Sequence, residues 1–462
     1  MNDNKMTSLE LRATWGLGIV FSLRMLGMFM VLPVITTYGM ALNGASEALI
    51  GIAIGIYGFT QAIFQIPFGL ISDRIGRKPL IVFGLLVFTL GSIIAALSDS
   101  IWGIILGRAL QGSGTIAAAV MALLSDLTRE QNRTKAMALI GISFGITFAI
   151  AMLLGPMITH AFGLHTLFGS IALLALLGII ITLTVVPATS VHVLNREASI
   201  VKGSITKVLN NRRLLKLNFG IMCLHILLMS SFIALPHVME SAGLVPKQHG
   251  YVYLITMLIS FATVVPFIIY AETKRHMRRV FISCVAILLI AEIVLWGARQ
   301  HLWLIIIGMQ LFFIAFNVME AILPSLISKE SPAGYKGTAM GVYSTSQFIG
   351  VAVGGSLGGW IFGIAGAGTV FASGAIIALL WFTVSCTMQE PPYVSSLRIV
   401  LSAAAMKDTT LEKCFRNQPG VTEAVVVRAE QSVYVKVDTR QTTRHQLEQL
   451  ANRFLAKPQR VL

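Results

Sequence analysis

The sequence predicts an all-α membrane protein, twelve transmembrane helices in two six-helix halves, followed by a small α+β domain. Three observations carry that expectation: apolar runs of bilayer length, basic residues gathered in alternate loops, and a change of composition after Pro391-Pro392. Of the 462 residues, 55% are hydrophobic and 12% charged, far from the balance of a soluble domain.

A helix needs about 20 mainly apolar residues to cross the hydrocarbon core. Runs of that order occupy 15–40, 47–72, 79–98, 100–126, 135–158, 164–187, 217–239, 250–271, 280–297, 302–327, 337–359 and 368–388. The long polar interruption at 188–216 separates six runs from six, so it reads as a cytoplasmic linker between halves at 1–187 and 217–390. Paired halves of this kind are expected to hold a substrate site between them.

The formal net charge of +15 invites a nucleic-acid reading, but its placement argues against one. Counted from an N-terminus inside the cell, the inner loops hold Lys5, Arg12, Arg74, Arg77, Lys78, Arg129, Arg133, Lys135, the linker cluster, Lys274, Arg275, Arg278, Arg279, Lys329 and Lys336. The outer loops hold only Lys247 and Arg299. That asymmetry predicts cytoplasmic N- and C-termini. Cys223, Cys284 and Cys386 fall in apolar runs and Cys414 stands apart, so no disulfide framework is implied. The first run is too long for a signal peptide and lacks a small-residue cleavage site, so it reads as a retained helix.

Residues 393–462 alternate in short strand-like runs: Leu397, Ile399, Leu401; then Val421 and Ala424 to Val427; then Val433, Val435, Val437. Between the first two, 408–417 reads as a helix with Asp408 as N-cap, ended by Pro419-Gly420. Thr443 to Leu455 reads as a second helix with Leu447, Leu450 and Phe454 on one stripe. The order β-α-β-β-α, with a further edge strand in the last residues, predicts a ferredoxin-like sandwich in the cytoplasm.

The most specific motif is the hairpin Asp73-Arg74-Ile75-Gly76-Arg77-Lys78, preceded by Gly69-Leu70, between the second and third runs. Gly76 supplies a tight turn by tolerating positive φ. Leaflet anchoring would explain Arg74, Arg77 and Lys78, but neither Asp73 nor the glycine spacing. The hairpin resembles the G-x-L-x-D-R-x-G-R-K signature of the major facilitator superfamily. With the tail, the whole chain resembles the YajR-type bacterial transporters, a twelve-helix core with a C-terminal ferredoxin-like domain. The resemblance implies a proton-driven exporter in the bacterial inner membrane, of uncertain substrate. It also implies that Asp73 faces the start of the eleventh helix and that Arg77 pairs with Asp126. A carboxylate at a helix N-terminus gains roughly 0.3–1 kcal/mol from the dipole. Such contacts would hold the halves together on the cytoplasmic side and favour an outward-open state.

Arg108-Ala109-Leu110-Gln111-Gly112 matches the family's R-x-x-Q-G element. An arginine within a span is costly and usually faces a polar interior. Arg24 poses the same question, and both can share one cavity; the plainer alternative is a structurally paired or snorkelling arginine. Gly141-x-x-x-Gly145 with Leu154-Gly155-Pro156 partly matches the antiporter-associated motif of the fifth helix, although Met157 and Ile158 replace its later glycines. Ordinary small-residue packing explains the same pattern.

In the second half, His225, Glu292, Asn317 and Glu320 lie in predicted spans. A carboxylate buried there can trade a proton near neutral pH. Glu320, with Asn317 one turn earlier, is the first candidate for proton coupling and His225 the next. Glu292 can instead face a headgroup region, because its span is short. Typical drug/proton antiporters often place an acid in the first span, where this chain has Arg24.

Two patterns mislead. Gly354-Gly355-Ser356-Leu357-Gly358 fits a hydrolase elbow literally, but no strand-turn-helix context surrounds it. Gly350, Gly354 and Gly358 instead recur every four residues as a helix-packing face. The tail resembles heavy-metal-associated domains, yet Ala404-Ala405-Met406-Lys407-Asp408 stands where their Cys-x-x-Cys pair would be, so no metal or cofactor is expected. No phosphate-binding G-x-x-x-x-G-K-[ST] supports an ATP-driven pump. The chain is therefore expected to be a secondary transporter rather than an enzyme. The expected reaction is proton-coupled efflux of a small organic or amphiphilic molecule, against the alternatives of a transporter-derived sensor or a symporter. Its expected partners are the lipid bilayer, protons and the small-molecule substrate, with a tail that self-associates or binds a small ion.

Overall fold

The computed structural model describes residues 5–188 and 194–454. The first half holds α1 (Ser8–Met30), α2 (Glu47–Ile75), α3 (Arg77–Leu97), α4 (Ile101–Leu127), α5 (Glu130–Phe162) and α6 (Leu164–Thr184). The second holds α7 (Arg212–Ser241), α8 (Pro246–Ile268), α9 (Met277–Ala298) and α10 (Leu302–Glu330). A last helical run, Lys336–Cys386, is two spans joined at Gly366, whose φ of 83° and ψ of 178° are non-helical; α11 is 336–365 and α12 is 367–386. Among the described residues, twelve spans follow. The tail side, where α2 meets α3 and the C-terminal domain sits, is called the near side below, and the opposite face the far side.

Two boundaries differ from expectation. The first span starts at Ser8, not 15, and ends at Met30 before a separate short turn, Ile35–Tyr38. Its polar first turn is helical because the Thr7 hydroxyl caps Glu10 N–H at 3.3 Å. Glu10 is then buried by Arg129 at 2.5 Å and Asn132 at 2.7 Å. The fourth span is broken into Ile101–Ser113 and Ala117–Leu127. The Gly114 carbonyl freed at that break accepts from Arg24, at 3.0 Å from Nε and 2.8 Å from Nη2.

The halves meet on the far side through glycines. A Cβ on Gly51 of α2 would fall 2.5 Å from the Gly355 carbonyl oxygen and 2.6 Å from the Gly359 Cα of α11. One on Gly55 would fall 2.7 Å from the Ala352 carbonyl oxygen. In lipid, close backbone approach of this kind is what holds helices together. The other face of α11 packs on α7: Cβ atoms on Gly350 and Gly354 would lie 2.4 Å from Met222 O and 2.7 Å from Ile226 Cα. On the near side α2 and α11 diverge, and Ile200 of the linker fills the gap between Gly69 and Gly341.

In the tail, β1 (Ser395–Val400), α13 (Leu411–Arg416), β2 (Val421–Val427), β3 (Ser432–Val437) and α14 (Arg444–Arg453) form an antiparallel sheet of order β1-β3-β2 backed by two helices. The first helix begins at Leu411, not 408. Asp408 Oδ1 accepts from the amide and hydroxyl of Thr410, at 2.8 and 2.6 Å, and so shapes a turn rather than the cap. Thr443 and Gln446 form a reciprocal capping box on α14. The expected final edge strand lies outside the described residues.

Because Gly51 has no room for a side chain, Gly51→Val is expected to separate α2 from α11 on the far side, at a cost of about 1–3 kcal/mol. Spin labels flanking that contact should report a longer distance than in wild type. Gly141→Val, where no atom lies within 4 Å, should leave it unchanged.

Candidate functional site

Gly76, at φ 101° and ψ 151°, ends α2 and starts α3 within one residue. The turn buries Arg77, which is 3% exposed. Its Nη1 donates to Ser72 Oγ at 2.7 Å and to the Asp73 carboxylate, and its Nε lies 3.6 Å from Asp126 Oδ2. Lys78 reaches across to the Val186 carbonyl at 2.8 Å, at the end of α6. Arg74 is exposed.

The start of α11, expected to face Asp73, is instead held by the linker. Gly337 N–H donates to the Arg196 carbonyl at 2.9 Å, and Val201 N–H to Thr338 Oγ1 at 3.0 Å. Asp73 turns to Arg77, across the Gly76 turn of its own hairpin. The linker also grips the first half: Asn195 Nδ2 donates to Ser125 Oγ at 3.0 Å, and Arg77 Nη2 lies 3.5 Å from Ser199 Oγ. Residues 195–204 thus form a strap between α2, α4 and α11. Nothing in its mixed composition signalled this role.

The tail domain rests on that strap and on near-side loops of the second half. Arg196 Nε donates to Glu430 Oε1 at 2.8 Å, Arg196 N–H to Tyr434 Oη at 3.1 Å, and Ser396 Oγ to Glu197 Oε1 at 2.7 Å. Arg275 pairs with Asp438 at 2.8 Å. That guanidinium holds the Asp438 carboxyl below its ordinary range. Glu423 Oε2 accepts from Ala333 N–H at 2.8 Å. Lys436, buried, donates to the carbonyls of Lys329 and Ser331, so its cation caps the end of α10. Burial pulls its ammonium down to about 8. Alternation along β3 sends Val433, Val435 and Val437 into the domain core and leaves Ser432, Tyr434 and Lys436 on the opposite face, also buried.

Midway between the halves is a cavity of about 140 Å³. The first half lines it with Tyr57, Gln61, Gln65 and Arg108, the second with His225, Glu320, Gln347 and Phe348. Phe29, Phe148 and Phe316 close its walls. Such a volume holds roughly five waters at about 30 Å³ each, well short of a drug-sized ligand. Arg108 is bound to the Ala53 carbonyl at 3.2 Å and to Gln111 Oε1 at 3.2 Å, and lies over the Tyr57 ring at 4.7 Å. Gln111 Nε2 continues to Ser92 Oγ at 2.9 Å. Arg24 meets the same tyrosine at 2.7 Å from its hydroxyl, but it does not line the cavity; its remaining bonds go to Gln61 and to the broken α4. It is a structural arginine plugging a helix break.

His225 stands at the second-half wall. Its Nδ1 lies 3.3 Å from the Ile221 carbonyl, and its Nε2 lies 3.0 Å from Gln347 Nε2 and 3.3 Å from Glu320 Oε1. As a neutral Nδ1–H tautomer, His225 donates to Ile221 and accepts from Gln347, which leaves Glu320 Oε1 without a donor. One added proton, on either residue, allows a hydrogen bond between Nε2 and Oε1 in exchange for the Gln347 bond, because Nε2 has one lone pair.

Asn317 does not join Glu320. Its amide returns to the Phe313 carbonyl of its own helix at 2.8 Å and touches Met257 Sδ at 3.7 Å. Glu292 does not line the cavity. It is 1% exposed, 3.5 Å from Ser231 Oγ, in space that exists because residue 374 is glycine: a Cβ there would fall 2.6 Å from its carboxylate. In the fifth helix, a Cβ on Gly155 would meet the Met30 carbonyl at 2.4 Å, while Gly145 faces the Phe261 ring at 3.7 Å. Pro156 borders Gly250 of α8. Each of these three positions therefore serves helix packing.

Two bundles around a central, largely apolar cavity that holds Arg108, His225 and Glu320, with a charged hairpin between α2 and α3, define a secondary transporter, not an enzyme. The sequence matches the Major Facilitator Superfamily over residues 17–355 and 217–419, and the YajR YAM domain over 397–453. The chain belongs to the Major Facilitator Superfamily. It is 69% identical to the inner membrane transport protein YajR of Escherichia coli (strain K12), over 97% of this chain and 99% of that protein. It is 27% identical to the multidrug resistance protein MdtH of Baumannia cicadellinicola over 73% of this chain and 81% of that one. Among solved structures, the nucleoside transporter NupG superposes with a TM-score of 0.65 at 15% identity, covering 83% of this chain and 99% of that one. The human organic anion transporter MFSD10 gives 0.60 at 18%, covering 82% and 100%. The chain is thus a multi-pass transporter of the bacterial inner membrane.

Docking of the tail should depend on pH through Lys436. Its docked pKa of about 8 lies below the ordinary 10.5, so undocking takes up protons between those values. Docking is expected to be weakest below pH 8 and to tighten as pH rises toward 10.5. Limited proteolysis at 387–394 should slow across that window. Lys436→Met should raise the cleavage rate tenfold or more and flatten its pH dependence, since the carbonyls of Lys329 and Ser331 lose their donor at about 1–3 kcal/mol each.

Proposed function

We propose that this chain exports a small organic or amphiphilic molecule across the inner membrane in exchange for protons, by alternating access, with both termini in the cytoplasm. The orientation rests on the basic residues, which crowd the near side. The observation that carries coupling is the 3.3 Å approach of His225 Nε2 to Glu320 Oε1 in a cavity shared by both halves. That pair can hold one proton more or less with little movement. Losing the proton leaves a buried carboxylate that favours hydration and a wider cavity. A substrate that enters the widened cavity therefore competes with the proton. MdtH relatives, named for multidrug resistance, support export as the direction.

Residues 1–187 and 217–390 serve as the rocking halves. Asp73, Arg77 and Asp126 act as the near-side latch, with Gly69 and Gly76 setting the hairpin and Arg74 and Lys78 anchoring it. The latch works through the strap: Ile200 must leave the gap between α2 and α11 before the near side can close. The tail, fixed to strap and second half, biases that withdrawal.

Two substitutions test this reading in proteoliposomes, using a compound first found by thermal shift at two pH values. Glu320→Gln should bring pH-gradient-driven uptake to the level of empty liposomes while substrate exchange at equal pH persists; unchanged driven uptake would remove Glu320 from coupling. Arg77→Ala should abolish both modes without reducing membrane insertion, and wild-type rates would remove the latch.

A further inference from the structure

Where α7, α10 and α12 end together on the near side, away from the transport cavity, a second cavity of about 240 Å³ is lined by Arg212, Arg213, Lys216, Leu217, Leu326, Glu330, Met388 and Gln389. We propose that it binds the phosphate group of an anionic phospholipid of the near-side leaflet. The inference is independent of what the protein transports.

Three cations face one carboxylate there. Glu330 binds only one of them, Arg213, at 3.1 and 3.2 Å, and Gln389 takes its other arm. Lys216 donates to the Thr387 carbonyl at 3.2 Å, so one ammonium hydrogen anchors it while others stay available. Arg212 is exposed at the mouth. The pocket therefore keeps an excess of positive charge that its own acid does not cancel. Its floor is apolar, made by Leu217, Leu326 and Met388. Beside the cations, Leu209 and Leu215 are each 44% exposed. Basic heads beside exposed leucines, one just before and one within the first turn of α7, match a headgroup above acyl chains. Basic pockets between helices on the cytoplasmic side suit phospholipid phosphates. A free phosphate would use the cations but gain nothing from the two leucines, and this favours the lipid. Occupancy would tie α7 to α10 and α12 within the second half.

The test uses the full-length protein in detergent with added dioleoylphosphatidylglycerol, read by native mass spectrometry and thermal shift. Wild type should retain the anionic lipid over dioleoylphosphatidylcholine and gain melting temperature with it. Arg212→Gln/Lys216→Gln should lower that retention about tenfold or more. Arg279→Gln, an exposed near-side cation outside the pocket, should retain lipid as wild type does. Equal retention by the double variant and wild type would overturn the site, as would equal loss in Arg279→Gln. If inorganic phosphate alone reproduces the thermal shift, the ligand is a soluble anion and the lipid assignment is wrong. Should the double variant lose its native melting transition, Arg212→Gln alone, at an exposed position, must still lower retention.

Discussion

Two backbones in van der Waals contact, α2 against α11, organise this protein. Lipid tails are as apolar as leucine, so the bilayer offers no hydrophobic reason for the halves to associate. What remains is close packing, and glycine at 51, 55, 355 and 359 provides it on the far side. The glycine spacing on α11 serves two partners at once. Positions 350, 354 and 358 fix α11 to α7 within its half, and positions 355 and 359 meet the other half. The first contact is internal to a bundle, whereas the second crosses between bundles. On the proposed mechanism only the second must break.

The near side solves the same packing problem with a separate piece of chain. Where α2 and α11 diverge, the strap supplies both the apolar plug, Ile200, and the polar partners that the α11 start requires, Arg196 and Val201. The same segment presents Arg196 and Glu197 to the tail domain. Ten residues therefore touch both halves and the tail. This gives the tail a physical route to the proposed latch, through bonds rather than through distance.

Much of this was legible in the sequence, and the failures have physical causes. Twelve spans, the split at the linker and the β-α-β-β-α order of the tail follow from length, charge and period, whereas the approach of Arg77 to Asp126 is what the hairpin's resemblance to the major facilitator signature implies. The Asp73 contact with α11 does not appear, because the strap satisfies that helix start first. Asn317 and Glu292 looked like cavity residues because a polar group in a span usually is one. The structure satisfies them locally, Asn317 through the Phe313 carbonyl and Glu292 through the Ser231 hydroxyl in the room left by Gly374. Gln347, a partner of His225, gave no signal at all, being one amide in a small-residue helix. Alternation puts Lys436 on the face of β3 turned away from the domain core, yet it is 3% exposed because the transporter itself covers it.

The central claim is that closure on one side is exchanged for closure on the other. Double electron–electron resonance on the full chain tests it most directly. One label pair spans the far side at Ala45 and Ala365, and another spans the near side at Ile75 and Lys336. Across pH values that load and unload the protein, the account predicts reciprocal shifts, the far-side distance lengthening as the near-side distance shortens. Two distances that stay fixed, or that lengthen together, would contradict it.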